Sequence, residues 1–210
     1  MNDRKAKTWI KICGITSAED ARMAAAAGAD AVGLVFAESK RRVSLNDARA
    51  IVRMLPEGIE AVGVFVDEDP ETVRDLAADL GLDGVQLHGS ESPGECERLP
   101  LKTIKRFPVL PSDSRDSLRR RMEPYRVFAR LLDPGAGDGV SFDWSLAKGH
   151  SGRLIVAGGL TPDNVASVVR MLHPFGVDVS SGVESGPGKK DPVKMHRFIE
   201  EVRCAVRSAP

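Results

Sequence analysis

Two side chains could exchange protons with a bound ligand, and each comes at the end of an apolar run. Cys13 ends the run 9–13, and Gly14 follows it. A thiolate is a competent base or nucleophile, but a free thiol has a pKa of about 8.5, so ionisation at neutral pH needs nearby positive charge or a helix N-terminus. The alternative interpretation of Cys13 is a small buried hydrophobe, which is common for a free cysteine.

Asp133 is the second candidate, because it directly follows the run 127–132 and precedes Pro134. A carboxyl group acts as a general acid only while it keeps its proton. Its ordinary pKa of about 3.9 must rise by about 3 units for half-protonation at pH 7, which a half-buried position can provide. The alternative role for Asp133 is to cap a loop.

Two short segments predict a phosphate-binding site. Gly158-Gly159 follows the run 153–157, and Ser181-Gly182 follows the run 177–180. Glycine lets backbone N–H groups approach an anion closely. Thr161-Pro162 is typical of an N-cap followed by proline at the first helical position, so we also expect a helix N-terminus directed at the phosphate.

Three further polar residues could contact the same ligand. Arg41, in the basic segment 39–42, has a planar fork that suits a carboxylate, although such clusters are usually solvated. Asp178 alternates with valines, so it should lie on the opposite side of its run from them. There it could orient the phosphate-binding segment, pair inside the fold or act in catalysis. His88 is as well suited to a backbone hydrogen bond as to a ligand contact.

The composition bounds the class of protein. A chain of 210 residues that is 42% hydrophobic suits one domain, which we predict over residues 1–210. Thirty basic and thirty acidic residues cancel, so no overall field favours nucleic acid or an anionic membrane. No apolar run approaches the roughly 18 residues of a membrane span, and the N-terminus lacks a signal-peptide pattern, so we expect a cytoplasmic protein. The cysteines and histidines lack metal-ligand spacing, so we expect reduced thiols and no metal.

Eight apolar runs alternate with helical patterns along the chain. The runs are residues 9–13, 30–36, 59–66, 83–87, 101–107, 126–132, 153–157 and 175–180. Near-continuous apolar runs suit parallel strands buried on both faces, and the alternation indicates βαβ units. The sequence therefore predicts an α/β fold, a single-domain (β/α)8 TIM barrel, with a doubly wound open sheet as the alternative. In a barrel the carboxyl ends of all strands meet on one face, which would bring the candidate residues together.

The helices between the runs have recognisable starts. Ser17 has a capping-box outline, and Asp69-Pro70 and Asp191-Pro192 each place proline in a first turn. In the segment 108–124, the sequence gives few signals for where a helix starts or ends. The segment 134–141 has three glycines and could form a loop that closes over a ligand.

Taken together and in order, these motifs resemble those of the phosphoribosylanthranilate isomerase family of tryptophan biosynthesis. The resemblance covers nearly the whole chain. It rests on Lys11-Ile12-Cys13-Gly14-Ile15-Thr16, Ser39-Lys40-Arg41, Val62-Gly63-Val64-Phe65-Val66, Val85-Gln86-Leu87-His88-Gly89, Leu131-Leu132-Asp133, Phe142-Asp143-Trp144, Gly158-Gly159-Leu160, Asp178-Val179-Ser180-Ser181-Gly182-Val183-Glu184 and Gly188-Lys189-Lys190-Asp191.

The resemblance implies a cofactor-free Amadori rearrangement of N-(5-phosphoribosyl)anthranilate to 1-(2-carboxyphenylamino)-1-deoxyribulose 5-phosphate. Asp133 matches the general acid that protonates the ribose ring oxygen, and Cys13 matches the general base that removes the C2 proton. Arg41 matches the partner of the anthranilate carboxylate, while the resemblance leaves the roles of His88 and Asp178 open. The phosphate should be held by backbone around Gly158, Gly159, Ser181 and Gly182. The partner is thus a small phosphosugar, bound by a monomer or homodimer.

The chain departs from the family pattern at two places. The loop after the sixth strand usually reads Gly-Gly-Ser/Thr-Gly followed by a basic residue or Gln, but here the segment is Ala136-Gly137-Asp138-Gly139-Val140. Arg106 stands where we expect a small residue. Both could alter loop closure or the site.

Three other functions compete with this interpretation. A ribulose-phosphate epimerase would need metal ligands that the sequence does not offer. A histidine-pathway isomerase would have an aspartate in place of Cys13. A non-catalytic phosphosugar-binding protein would keep the phosphate site, but the presence of both Cys13 and Asp133 argues against it.

Overall fold

Eight parallel strands close into one barrel in the computed structural model, which describes residues 7–135 and 139–207. The strands are β1 (Trp9–Cys13), β2 (Ala31–Val35), β3 (Glu60–Phe65), β4 (Gly84–Leu87), β5 (Lys102–Pro108), β6 (Ala129–Asp133), β7 (Leu154–Val156) and β8 (Gly176–Val179). Each strand pairs with the next one along the chain, and β8 pairs with β1. The predicted barrel is confirmed, and the open sheet is excluded because its first and last strands could not pair.

Helices cover the outside of the barrel. They are α1 (Ala18–Ala27), α2 (Leu45–Met54), α3 (Pro70–Leu80), α4 (Pro93–Glu97), α5 (Arg115–Met122), α6 (Val165–Leu172) and α7 (Pro192–Arg207). A short 3₁₀ turn, Trp144–Ala147, stands between β6 and β7. Two more strands, β9 (Glu184–Gly186) and β10 (Lys189–Lys190), form a small antiparallel pair between β8 and α7.

Most of the predicted helix starts are confirmed. The Ser17 side chain accepts a hydrogen bond from the N–H of Asp20, and Asp69 caps α3 ahead of Pro70. Helix α7 begins at Pro192, as predicted. In the irregular segment 108–124, a capping box at Ser114 starts α5.

The predicted helix start at Thr161-Pro162 is confirmed in part. The Thr161 Oγ1 accepts from the Asp163 N–H at 3.3 Å and the Thr161 carbonyl accepts from the Val165 N–H at 3.1 Å, but the regular helix starts later. Helix α6 begins at Val165, with Asn164 at its N-cap position. Residues 162–164 form a turn instead, because the side chain of Asn164 accepts from the Thr161 N–H at 2.9 Å and donates to the Gly159 carbonyl at 2.8 Å. The N-terminus of α6 therefore lies further along the chain from Gly159 than the sequence pattern indicated.

The barrel has two apolar layers. The larger cluster lies between strands and helices and includes Ile10, Ile12 and Val177. A smaller cluster, with Leu131 and Ile155 among its members, lies among inward-facing strand residues. Because side chains alternate along a strand, the neighbours of Ile10 and Ile12 on β1 face the barrel interior. Within the described residues, no helix combines the length and the apolar character that crossing a membrane requires.

Candidate active site

Every side chain or glycine singled out as a candidate lies around one cavity at the carboxyl ends of the barrel strands. The cavity is lined by Cys13, Arg41, His88, Asp133, Gly158, Gly159, Asp178, Ser181 and Gly182. Gln86 also lines it. This is the face on which barrel enzymes assemble their catalytic groups.

Cys13 lies beside a buried ion pair. Lys11 precedes it by two residues on β1 and is fully buried, and its Nζ donates to Oδ2 of Asp178 at 2.9 Å. Burial raises the pKa of Cys13 above its ordinary value, while the charge and hydrogen bond of Lys11 act in the opposite direction. Cys13 is therefore a protonated thiol in the free protein at neutral pH, with a cation already next to the sulfur.

Asp133 ends β6 with its side chain only 14% exposed. Its Oδ1 accepts a hydrogen bond from the Gly135 N–H at 3.0 Å. The pKa of Asp133 is raised from 3.8 to about 6, because burial penalises the charged carboxylate more than the Gly135 N–H and the nearby Arg106 stabilise it. A usable fraction of this carboxyl group is thus protonated near neutral pH.

His88 follows β4 and lies between Gln86 and Asp133. Its Nδ1 is 3.0 Å from Nε2 of Gln86, and its Nε2 is 3.8 Å from Oδ2 of Asp133. Burial lowers the pKa of His88 to about 3, and Arg106 and Lys11 lower it further by repulsion. His88 is therefore an uncharged imidazole at physiological pH.

Arg41 is held by a second carboxylate. Its Nε and Nη2 donate to the two oxygens of Glu184, each at 2.8 Å. Lys190 donates to Oε1 of Glu184 at 2.8 Å and to the carbonyl of Ser180 at 3.2 Å. Since two of the five N–H donors of the guanidinium are used in this way, the other three can still serve a ligand.

The two glycine segments form a backbone cradle. Gly158 and Gly159 both have positive φ, at 79° and 64°. A side chain at Gly182 would place its Cβ 1.9 Å from the Leu160 carbonyl oxygen, so only glycine fits there. Asn164 binds the Gly159 carbonyl, which fixes the orientation of that loop. A cradle of this kind suits an anion bound by backbone N–H groups.

Sequence reasoning did not assign a role to several residues that hold this site together. They are Lys11, Gln86, Asn164, Glu184 and Lys190. For Lys11 and Gln86 a signal was available, because each lies two residues before a candidate on the same strand or strand end and therefore faces the same side. Glu184 is distant from Arg41 in sequence, and no local pattern predicts that they meet.

The two departures from the family pattern have different outcomes. Arg106 lies in β5, and its Nη2 is 3.5 Å from the Gly135 carbonyl, so the added cation lies close to Asp133. Residues 136–138 of the unusual loop lie outside the described residues. Within residues 7–135 and 139–207, no three His, Cys, Asp or Glu side chains are grouped as metal ligands.

The closed barrel, the backbone cradle for an anion, and the half-buried thiol and acid that share one cavity define a (β/α)8 barrel enzyme that acts on a phosphorylated substrate. Comparison with known proteins identifies one family within this class of barrel enzymes. Residues 10–201 match the family model described as N-(5'phosphoribosyl)anthranilate (PRA) isomerase.

Individual relatives agree with the family match. An N-(5'-phosphoribosyl)anthranilate isomerase of Desulforudis audaxviator is 48% identical over 206 residues, covering 95% of this chain and all of the relative. A crystal structure of phosphoribosyl anthranilate isomerase with reduced 1-(o-carboxyphenylamino)-1-deoxyribulose 5-phosphate has a TM-score of 0.84 at 42% identity, covering 94% of this chain and 99% of that one. A Thermotoga maritima isomerase with the same scores and coverage is described as dimeric and was converted to monomers.

This chain belongs to the N-(5'-phosphoribosyl)anthranilate isomerase family. The prediction of an isomerase of tryptophan biosynthesis on a TIM barrel is thereby confirmed. The epimerase, the histidine-pathway isomerase and the non-catalytic binding protein no longer compete with it.

Proposed function

We propose that one barrel domain, residues 1–210, performs the Amadori rearrangement of N-(5'-phosphoribosyl)anthranilate with Asp133 as the general acid and Cys13 as the general base. The observation that carries this assignment is that both groups line one cavity together with the glycine cradle and Arg41. The cradle would hold the phosphate and Arg41 the anthranilate carboxylate. The ribose would then lie between the acid and the base.

The first step opens the ribose ring. Asp133 transfers its proton to the ring oxygen, the C1–O bond breaks, and the lone pair of the anthranilate nitrogen forms a cationic C1=N bond. Oδ2 is the oxygen suited to this transfer, because Oδ1 already accepts the Gly135 N–H. A group whose pKa lies near the working pH is well suited to general acid catalysis.

The second step removes the C2 proton. The Cys13 thiolate accepts it, and the electrons of the C2–H bond form the C1=C2 double bond while neutralising the nitrogen cation. The resulting enolamine takes a proton at C1 and loses the proton of its C2 hydroxyl, which yields the ketone. Lys11 and Lys190 favour the thiolate by their charges, and the cationic intermediate adds to that effect.

The reaction needs Asp133 protonated and Cys13 ionised, which is the opposite of the main state of the free protein. At pH 7 the carboxyl group, with a pKa of about 6, is mostly ionised, and the thiol, whose pKa is raised, is mostly protonated. Between the two pKa values the product of the protonated acid fraction and the ionised thiol fraction is constant. Below about pH 6 only the thiolate fraction falls, so kcat/KM should decline on the acid side with the titration of Asp133.

Our expectations for location, ligand class and oligomeric state are based on the family. We expect a cytoplasmic enzyme that binds a small phosphosugar and works as a monomer or a homodimer. The dimeric relative supports the homodimer as one of the two states. Light scattering on the purified chain, with and without substrate analogue, would distinguish them.

Loss of substrate fluorescence tests the proposal. Phosphoribosylanthranilate is fluorescent because of its anthranilate group, and it can be made in place from anthranilate and phosphoribosyl pyrophosphate by the preceding transferase. Enzyme-dependent loss of that fluorescence, with appearance of the deoxyribulose product by chromatography, is the expected result. No turnover at micromolar enzyme would contradict the proposal.

A further inference from the structure

Two polar side chains at the end of β4 have no part in the proton transfers proposed for Asp133 and Cys13. Gln86 is 1% exposed, and His88 follows it by two residues, so both face the cavity. A buried amide and an uncharged imidazole are costly to place in a barrel interior unless they bind each other or another group. They do bind each other, at 3.0 Å.

This contact fixes where the imidazole carries its hydrogen. In this orientation of the amide, the Gln86 nitrogen faces His88, and Oε1 of Gln86 is buried without a hydrogen-bond partner among the described residues. The amide nitrogen only donates, so this orientation assigns Nδ1 of His88 as the acceptor. Since a neutral imidazole has one N–H, the hydrogen lies on Nε2. The ring stays neutral because it is buried and lies near Arg106, Lys11 and Lys105, which lower the pKa of His88 to about 3.

The N–H of this tautomer faces the end of β6, where it has the Gly135 carbonyl as a hydrogen-bond partner and the acid close by. Nε2 of His88 is 3.8 Å from Oδ2 of Asp133, whereas Oδ1 of Asp133 is bound by the Gly135 N–H. When Oδ2 carries the proton it has little to gain from a second donor. After the proton has moved to the substrate, Oδ2 is an anionic acceptor, and the His88 N–H is well placed to bind it. Such contacts are often long in an unliganded site and shorten in the reacting complex.

We propose that His88, held by Gln86 as the tautomer with hydrogen on Nε2, is a positioning residue that donates a hydrogen bond to Oδ2 of Asp133 as this group gives up its proton. The inference rests on the proposed role of Asp133 as the acid. His88 transfers no proton itself. Its effect is to stabilise the carboxylate that ring opening leaves behind.

Other charged groups also face Asp133, and the test must separate them from His88. Arg106 on β5 and Lys11 on β1 stabilise the carboxylate, and Asp178 on β8 opposes it. All three remain in place when His88 is replaced. Variants at position 88 therefore measure the imidazole alone, against an unchanged set of charges.

The tautomer can be observed directly. Long-range ¹⁵N–¹H correlation spectra distinguish the two neutral imidazole tautomers, and the ring of His88 is assigned by its loss in His88→Gln. We expect hydrogen on Nε2 in the wild-type protein and a mixture of tautomers in Gln86→Met. Hydrogen on Nδ1 in the wild-type protein would mean that Gln86 presents its oxygen, and it would overturn the proposal.

Kinetics test the effect on the acid. In His88→Ala we expect kcat to fall about 10-fold with KM changed less than about 3-fold, as for the loss of one hydrogen bond to a charged group. The acid limb of the kcat/KM pH profile should move to higher pH, because Asp133 loses a donor that stabilises its anion. His88→Gln, which can still donate, should recover part of kcat. His196→Ala removes an exposed histidine of α7 and should change nothing.

The kinetic results distinguish a failure of the positioning role of His88 from a failure of the acid role of Asp133. If His88→Ala keeps the wild-type kcat and acid limb while Asp133→Asn is inactive, the positioning role is wrong and the proposed function stands. If Asp133→Asn turns over normally, the proposed role of Asp133 as the general acid is wrong, whatever the tautomer of His88. If His88→Ala is poorly folded by circular dichroism, His88→Gln and Gln86→Met provide the comparison.

Discussion

Two charged clusters at the barrel mouth differ in how completely their charges are paired. In the first, Glu184 accepts three hydrogen bonds from Arg41 and Lys190, all at 2.8 Å. In the second, Asp133 has one backbone N–H at 3.0 Å and the His88 ring at 3.8 Å. Among the residues that the structure describes, Arg106 in that cluster has only the Gly135 carbonyl, at 3.5 Å.

Because the two clusters differ in pairing, the pKa values of Glu184 and Asp133 shift in opposite directions. Hydrogen bonds from Arg41 and Lys190 outweigh burial and lower the pKa of Glu184, whereas burial outweighs the partners of Asp133 and raises its pKa to about 6. A fully paired carboxylate stays ionised and fixes the position of its neighbours. An incompletely paired one can change its protonation state, which is what a general acid requires.

The largest expected effect concerns catalysis. Asp133→Asn and Cys13→Ser should each lower kcat by about 100-fold or more, because each removes a group that moves a proton in the transition state. Binding at the glycine cradle should be largely unchanged, as measured by competitive inhibition with inorganic phosphate. Turnover near the wild-type level in either variant would contradict the acid and base assignment.

The second prediction is that breaking the paired cluster destabilises the fold. Glu184→Gln should lower the free energy of unfolding by about 3 kcal/mol, because it leaves the fully buried Lys190 without its carboxylate. Urea denaturation measures this change. Glu71→Gln is the matched control, since it breaks an exposed pair with Arg98 and should cost less than about 1 kcal/mol. Equal losses would mean that the buried pairs of Glu184 stabilise the fold no more than an exposed pair does.

The third prediction tests the ligand side of the paired cluster. Arg41→Ala should weaken substrate binding by about 1.5–3 kcal/mol, the typical value for a lost hydrogen bond to a charged group. The Lys190–Glu184 pair remains in this variant, so the fold should be retained. Inhibition by inorganic phosphate should not change, because the cradle is formed by other residues. An equal loss for phosphate would place Arg41 at the wrong end of the ligand.

The smallest expected effect is a gain in stability. The pKa of Asp133 is raised on folding from 3.8 to about 6, so ionising it favours the unfolded chain, and stability falls as pH rises through this range. Asp133→Asn removes that penalty. Relative to wild type it should gain about 2 kcal/mol in unfolding free energy between pH 4.5 and pH 8, measured by urea denaturation at both values. A difference that does not change with pH would contradict the raised pKa.

Much of the fold could be predicted from local patterns. All eight strands lie within one or two residues of the predicted runs, apart from the later start of β6 at Ala129. Ser17 and Asp69 start helices because the cap needs only neighbours within one turn. At Thr161 a turn precedes the regular helix, because the Asn164 side chain binds the Thr161 N–H and the Gly159 carbonyl while Thr161 Oγ1 accepts from the Asp163 N–H.

Sequence alone determined the order of strands and helices, the candidate residues at the strand ends and the family to which they correspond. These features depend on periodicity and on motifs that are contiguous in the chain. Tertiary structure alone decided that Arg41 meets Glu184, that Lys11 lies between Cys13 and Asp178, and that Asp133 has few partners within residues 7–135 and 139–207. Burial and charge pairing depend on residues that are distant in sequence, and those are also what set the protonation states of the candidate acid and base.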